Sequence, residues 1–212
     1  MRTDDLIAGL AANLAPVKHG EVLRRLLLTL AAGIAVSALV MLAVLGLRHD
    51  FAAALQHSGM RMKLAYTFAL AALGLWLVTR AGRPGASMDR PAWLLALPLL
   101  AVAALAVLQM AQPGADMPGL VMGHSSRVCA VLIVLVATPT LLAVFWALRR
   151  LAPTRLGLAG AAAGLFAGAA GAFVYAFHCT EESAPFVAIW YTAGIALTTA
   201  IGALLGPRFL RW

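Results

Sequence analysis

The chain has 212 residues, of which 63% are hydrophobic and 11% are charged, and its formal net charge is +8. Its mean hydropathy is +0.92. A soluble domain of this size needs more polar residues to cover its surface, so the composition excludes an ordinary soluble protein. The chain is therefore predicted to be an all-α, polytopic membrane protein.

The first predicted element is a short amphipathic helix within residues 1–24, which ends near Pro16. Thr3 could cap it, the acidic residues that follow suit the positive end of the helix dipole, and apolar residues then recur on one face. A helix of about 15 residues is marginal in water, so it is predicted to form against a partner with an apolar groove. A helix lying on the membrane surface is the alternative, but such helices favour Lys and Arg over an acidic start. The candidate binding residues are Thr3, Asp4, Asp5, Leu6, Ile7, Leu10 and Leu14.

Six apolar runs follow, each close to the roughly 20 residues that a helix needs to cross a bilayer. None of the runs contains Asp, Glu, Lys or Arg, and no alternation with period two is sustained, which argues against a transmembrane barrel. The second run is the shortest and could extend outward if Lys63 snorkels. The first run is preceded by a long polar or amphipathic segment, so it is predicted to be a retained span and not a signal peptide. The predicted spans are 26–47, 64–79, 91–111, 128–148, 156–177 and 184–205.

The positive charges are divided unevenly between the two sides that six spans define. One side holds both termini and the loops after spans two and four; the other carries only Arg48, Arg61, Lys63 and Arg127. The positive-inside rule then predicts that both termini are cytoplasmic, with 25–206 as the transmembrane domain of a bacterial inner-membrane protein and 207–212 as a cytoplasmic C-terminus. Topology and contact with anionic lipid explain the net charge, so nucleic-acid binding need not be invoked. The predicted cytoplasmic cations are Arg2, Lys18, Arg24, Arg25, Arg80, Arg83, Arg90, Arg149, Arg150, Arg155, Arg208 and Arg211.

Both cysteines, Cys129 and Cys179, fall on the predicted outer side, which is an oxidising compartment. One interpretation is a structural disulfide, which requires the two Cα atoms to lie within about 7 Å of each other. A second is a redox or soft-metal sensor, in which His124 or His178 adds an imidazole ligand to the two thiolates. A third is two unrelated buried cysteines. The spacing contains no CxxC and does not decide among the three.

The fifth predicted span contains Gly160, Gly164, Gly168 and Gly171, and the sixth ends with Gly202 and Gly206. Small residues at every fourth position leave a smooth strip on a helix, along which a neighbouring backbone can approach closely. The pattern predicts tight helix packing.

The sequence has no pattern typical of a soluble catalytic site: it lacks a P-loop, a Gly-rich dinucleotide turn and HExxH. The chain is predicted not to be an enzyme. Coupled transport usually needs an ionisable group inside the membrane, and the predicted spans offer none. Two alternatives nevertheless stay open, a small transporter or metal-efflux protein and a membrane thiol oxidoreductase that uses a quinone.

Four segments of the chain are distinctive: TDDLI (3–7), GHSSRVC (123–129), HCTEESAPFVAIWYTAGIAL (178–197) and GPRFLRW (206–212). They resemble segments of the NrsF family, the "negative regulator of sigma-F" proteins, which are membrane anti-sigma factors of proteobacteria. The resemblance implies that the N-terminal segment holds an extracytoplasmic-function sigma factor at the membrane. It also implies that Cys129 and Cys179 sense heavy metals or oxidative stress, and that the released sigma factor switches on a stress response. No resident cofactor is implied, only a transient soft metal ion at the thiols.

Overall fold

The computed structural model of the chain describes residues 3–12, 20–83, 93–151 and 153–211. All regular structure in these residues is helical. The apolar runs are rich in alanine and leucine, which favour helices, and a helix satisfies its own backbone hydrogen bonds in lipid. The helices are α1 (Thr3–Ala11), α2 (Glu21–Val44), α3 (Phe51–Ala54), α4 (Ser58–Ala81), α5 (Ala96–Met110), α6 (Met117–Met122), α7 (Ser126–Arg149), α8 (Leu156–Tyr175) and α9 (Ala184–Phe209).

The prediction of membrane-length helices is confirmed: six helices in the described residues are long and apolar enough to cross a membrane. The second of them extends beyond its predicted bounds at both ends, because α4 begins at Ser58 and ends at Ala81, whereas the prediction was 64–79. A 3₁₀ turn, Trp93–Leu95, leads into α5. Part of α9, Val187–Tyr191, is wound as a π-helix.

Helix α8 is the centre of the bundle and packs against α9, α4 and α7. Its glycines explain this position, because Gly160 lies against Gly202 and Gly206 of α9. On a different face, a Cβ atom at Gly171 would lie 2.7 Å from the Cα atom of Ala137 in α7. The predicted tight packing is therefore present, and α8 uses its small residues against two neighbours.

The two ends of the bundle differ in charge. At one end of the bundle, the start of α2 packs with the ends of α4, α7 and α9 around a core that contains Leu26, Ala81, Leu148 and Leu210. We call this the arginine end, and its described cations are Arg24, Arg25, Arg80, Arg83, Arg149, Arg150, Arg155, Arg208 and Arg211. The opposite end, the cysteine end, contains the segments 45–57, 111–125 and 176–183.

Replacing Gly160 with valine should strongly reduce the yield of folded protein, because a side chain there would collide with the backbone of α9. Overpacking of this kind costs about 1–3 kcal/mol or more. Gly157→Val is the matched control, since a Cβ at Gly157 meets nothing nearer than the Ala203 carbonyl oxygen at 4.0 Å. Thermal unfolding in detergent measures both, and equal midpoints for the two variants would contradict the packing argument.

Candidate functional site

The two cysteines lie together inside the cysteine end. Cys129 is in the first turn of α7 and is completely buried, while Cys179 follows α8 and is 3% exposed. The Cys179 N–H donates to the Tyr175 carbonyl at 3.1 Å, which continues the last turn of α8. Both cysteines are free thiols in the same buried cluster, and their side chains interact. Packing thus joins two residues that are far apart in the sequence.

A lysine is buried beside this thiol pair. Lys63 lies in the second turn of α4 and is 0% exposed. Its ammonium donates to the carbonyl oxygens of Cys179 at 2.8 Å and Glu181 at 2.7 Å. The same nitrogen lies 5.5 Å from the centroid of the Tyr191 ring, a cation–π distance.

This burial corrects two predictions. Lys63 was expected to snorkel outward from a span that starts at residue 64, but α4 begins at Ser58 and the segment after Cys179 folds over its first turns. Gly59 permits that close approach, because a Cβ there would lie 2.7 Å from the Cβ of Glu182. Helix α4 therefore does contain a buried ionisable group, contrary to the prediction that counted against coupled transport.

Two tyrosines complete the surroundings of the thiols. The rings of Tyr175 and Tyr191 are 6.0 Å apart, and Tyr191 is fully buried at the end of the π-helical part of α9. The Tyr191 hydroxyl has no conventional hydrogen-bond partner among the described residues and faces the Cys179 thiol. A π-helical turn often marks a functional site, and here it sets the position of the tyrosine that packs in the same cluster as the two cysteines.

The charges around the thiols favour an anion at Cys179. Within the described residues no carboxylate is within ion-pair distance of Lys63, and a buried cation without an anion is costly. The hydrogen bond from Cys129 lowers the pKa of the Cys179 thiol; the Lys63 charge, Tyr191 and the Glu181 N–H lower it further, while burial opposes them. The Lys63 charge thus favours the thiolate of Cys179, which is the reactive form of a cysteine.

The segment that carries Cys179 is tied to the rest of the cysteine end. Arg48, whose side chain is buried, donates to Glu182 at 2.9 Å and to both carboxylate oxygens of Asp50 at 2.7 Å. The hydrogen bonds from Arg48 lower the pKa of Asp50 to about 2. The other Glu182 oxygen lies 3.1 Å from Nδ1 of His57. The segment before α4 is thus fastened to the segment after α8.

Further bonds connect residues 177–183 to the segment 111–125. Glu181 accepts from the His124 N–H at 2.7 Å, and the Ser183 hydroxyl donates to the Leu120 carbonyl at 2.7 Å. Trp190 of α9 donates to the Val121 carbonyl at 2.9 Å. We call residues 177–183 the hub segment, because hydrogen bonds connect it to both neighbouring segments and to α4.

The two candidate metal-ligating histidines are near the hub segment. The His124 ring is fully exposed, and His178 lies with Nδ1 3.0 Å from the Gly46 carbonyl. In the described part of the chain, no three side chains among His, Cys, Asp and Glu are grouped to hold a metal ion. The imidazole ligand therefore remains a prediction.

Six of the seven N-terminal candidate residues, all but Leu14, lie on α1, whose first residue is Thr3. Asp4 and Asp5 are in its first turn and are exposed, and Ile7 is 59% exposed. Leu14 and the side chains of Leu6 and Leu10 fall outside the described residues. Ile7 is thus an exposed apolar side chain on the described part of α1.

Comparison with known proteins identifies the family. A model of the protein family described as "Negative regulator of sigma F" (NrsF) matches residues 10–212. The chain belongs to the NrsF family. It is 40% identical to the "Probable anti-sigma-F factor NrsF" of Azospira oryzae and 37% identical to the "Anti-sigma-F factor NrsF" of Caulobacter vibrioides. Both alignments cover 100% of this chain and of the relative, and no solved structure matches.

The NrsF match contains the whole thiol site but begins inside α1. Cys129, Cys179 and Lys63 are within the matched residues, whereas Thr3 to Gly9 are reached only by the two full-length alignments. The sequence of this NrsF chain predicted the two cysteines as site residues, but not Lys63 or Tyr191. Two features of the sequence pointed to them: Lys63 adjoins an apolar run, and Tyr191 lies in the same family-like segment as Cys179.

Proposed function

We propose that this protein is a membrane-bound anti-sigma factor of the bacterial inner membrane. It holds an extracytoplasmic-function sigma factor on its cytoplasmic side and releases it when an oxidant or a soft metal ion reacts with Cys129 and Cys179. The observation that carries the anti-sigma role is the full-length similarity to two proteins named as anti-sigma-F factors.

The proposed orientation has both termini in the cytoplasm. The arginine end of the bundle collects nine described cations, and the positive-inside rule assigns such an end to the cytoplasm. The thiol pair at the opposite end then faces the oxidising periplasm. Signal reception and sigma binding are on opposite sides of the membrane.

The proposed contact for the sigma factor is α1 and the residues up to Leu14. Ile7 is exposed on the described part of this helix, and an apolar helix face is suited to a groove on a partner. Asp4 and Asp5 add negative charge at the start of the helix, where the helix dipole favours it.

The proposed signal is a reaction of the thiol pair. With a hydroperoxide, the Cys179 thiolate attacks the outer oxygen, the O–O bond breaks, and the alkoxide leaves and takes up a proton. The Cys129 thiol then attacks the resulting sulfenic acid, so that a disulfide forms and water leaves. Overall the thiols lose two protons and two electrons, and the hydroperoxide is reduced to an alcohol and water. A soft metal ion would instead bridge the two sulphur atoms.

The hub segment is the proposed route from the thiols to the rest of the bundle. Lys63 of α4 donates hydrogen bonds to the Cys179 and Glu181 carbonyls, so a shift of Cys179 displaces α4. Helix α8 then transmits this displacement to α9 through their close contacts. A ligand or oxidant shifts the balance only by favouring one of two arrangements over the other.

Affinity purification from native membranes tests the function. The full-length protein should recover a sigma factor, and a version without residues 2–15 should not. Ile7→Asp should reduce recovery more than tenfold, since a charge on a buried interface anchor costs about 2 kcal/mol or more. Ala8→Asp, which adds the same charge about a quarter-turn further round the helix, should bind nearly as well as wild type. If no version recovers a sigma factor in gentle detergent, the anti-sigma proposal is wrong and transport is the next hypothesis.

A further inference from the structure

A cavity opens between α2 and α7 at the arginine end, far from the thiols. Its volume is 370 Å³, and its walls include Leu26, Leu28, Thr29 and Leu151. Leu28 is 61% exposed, which puts the opening on the outer surface of the bundle, where α2 meets lipid. The cavity is thus an apolar groove at the level where the helices end.

Two arginines and a tryptophan form the rim of this groove. The Arg150 guanidinium lies 4.1 Å from the centroid of the Trp146 ring, which fixes its plane against the aromatic face. Arg25 is on the opposite wall and shares its carboxylate partner, Glu21, with Arg24. Glu21 carries one negative charge and the two arginines carry two positive charges, so this wall of the groove has a net positive charge.

Arg150 adds to this excess, because within the described residues it has no ion-pair partner. Arg149 precedes it and lines a second cavity of 200 Å³ on the other side of Trp146, with Leu142 and Phe209. Trp146 therefore lies between two apolar grooves. Arg25 and Arg150 line the first groove, and Arg149 lines the second.

We infer that this place is a binding site for one anionic phospholipid. Its phosphate lies between the guanidinium groups of Arg25 and Arg150, and its acyl chains fill the apolar grooves beside Trp146. Guanidinium groups bind phosphate with paired hydrogen bonds, and basic pockets between membrane helices attract acidic headgroups. The positive rim matches an anionic group, and the apolar walls below it match hydrocarbon chains. A phospholipid has both, whereas free phosphate has only the anionic group. The inference does not depend on the anti-sigma proposal.

Native mass spectrometry of the full chain tests this site, with lipids added to the detergent-solubilised protein. Wild type should retain phosphatidylglycerol or cardiolipin in preference to phosphatidylethanolamine. R150Q and R25Q should each lower the retained anionic lipid about five-fold, the effect of one basic residue on an acidic headgroup. R80Q is the matched control: it removes an arginine stacked on a tryptophan at the same end, Trp76, and Arg80 does not line this cavity. It should bind as wild type.

Three outcomes would overturn the inference. They are equal loss in R150Q and R80Q, equal retention of phosphatidylethanolamine, and displacement of the lipid by inorganic phosphate at equal concentration. If R150Q does not fold, R150K takes its place. It keeps the charge but loses the planar stack and the paired hydrogen bonds, so retention should fall between those of wild type and R25Q, whereas R80K should match wild type.

Discussion

Replacing both cysteines with serine should abolish the response to oxidant and soft metal while leaving the sigma factor bound. Neither a disulfide nor a two-sulphur metal bridge can form without the thiols, and Cys129 and Cys179 are the only two cysteines in the chain. The measurement is the amount of sigma factor that copurifies before and after treatment of membranes with a hydroperoxide or Cd²⁺. Wild type should lose most of it, and the double variant should lose none.

The double alanine variant is the control for an assembly defect in this experiment. Both sites are buried, and a serine hydroxyl there needs a hydrogen-bond partner. The double alanine variant removes the thiols without adding that demand and should behave in the same way. A double variant of either kind that still releases the sigma factor on treatment would show that the signal is sensed elsewhere.

Replacing Lys63 with methionine should shift the reaction of Cys179 with thiol reagents to higher pH. The thiolate is the reactive form, so the alkylation rate rises as pH passes through the thiol pKa. That pKa is lowered in the wild-type protein, in part by the Lys63 charge, so the rise comes at a lower pH than for an ordinary cysteine. Loss of a nearby positive charge should move the midpoint upward by about one to three pH units.

The midpoint can be measured by mass spectrometry after short pulses of a small reagent such as methyl methanethiosulfonate. Lys63→Arg keeps the positive charge and should keep a midpoint near that of wild type. Because burial limits access in all three proteins, only the position of the midpoint tests the charge, whereas the maximal rate does not. An unchanged midpoint in Lys63→Met would mean that the hydrogen bond from Cys129 is enough by itself to lower the Cys179 pKa.

The membrane helices could be read from the sequence because hydropathy acts over a whole helix. A run of about 20 apolar residues favours a helix of membrane-spanning length, so six such helices were predictable, with errors mainly at their ends. The glycine pattern of α8 was equally local, since residues four apart share one helix face whatever lies beside them. The neighbour at each glycine was not predictable, and Gly171 meets α7 while Gly160 meets α9.

The thiol site was only half predictable, and Lys63 shows why. A lysine next to an apolar run usually snorkels to the interface, which is the cheaper place for a charge. Its burial depends on carbonyl groups of residues 179 and 181, more than a hundred positions away in the chain, and on the room that Gly59 leaves for them. No local pattern contains that information.

By itself the sequence determined the number of membrane-length helices, the uneven division of charge between their ends, and the residues that could react. These properties depend on composition and on short-range periodicity, which are the same in any packing of the helices. Only the tertiary structure decided that Cys129 and Cys179 lie in one buried cluster, that Lys63 and Tyr191 lie beside it, and that the hub segment is bonded to the neighbouring loops. Those facts depend on which helix faces meet, because a hydrogen bond or a charge effect acts over a few ångströms in space, whatever the separation in sequence.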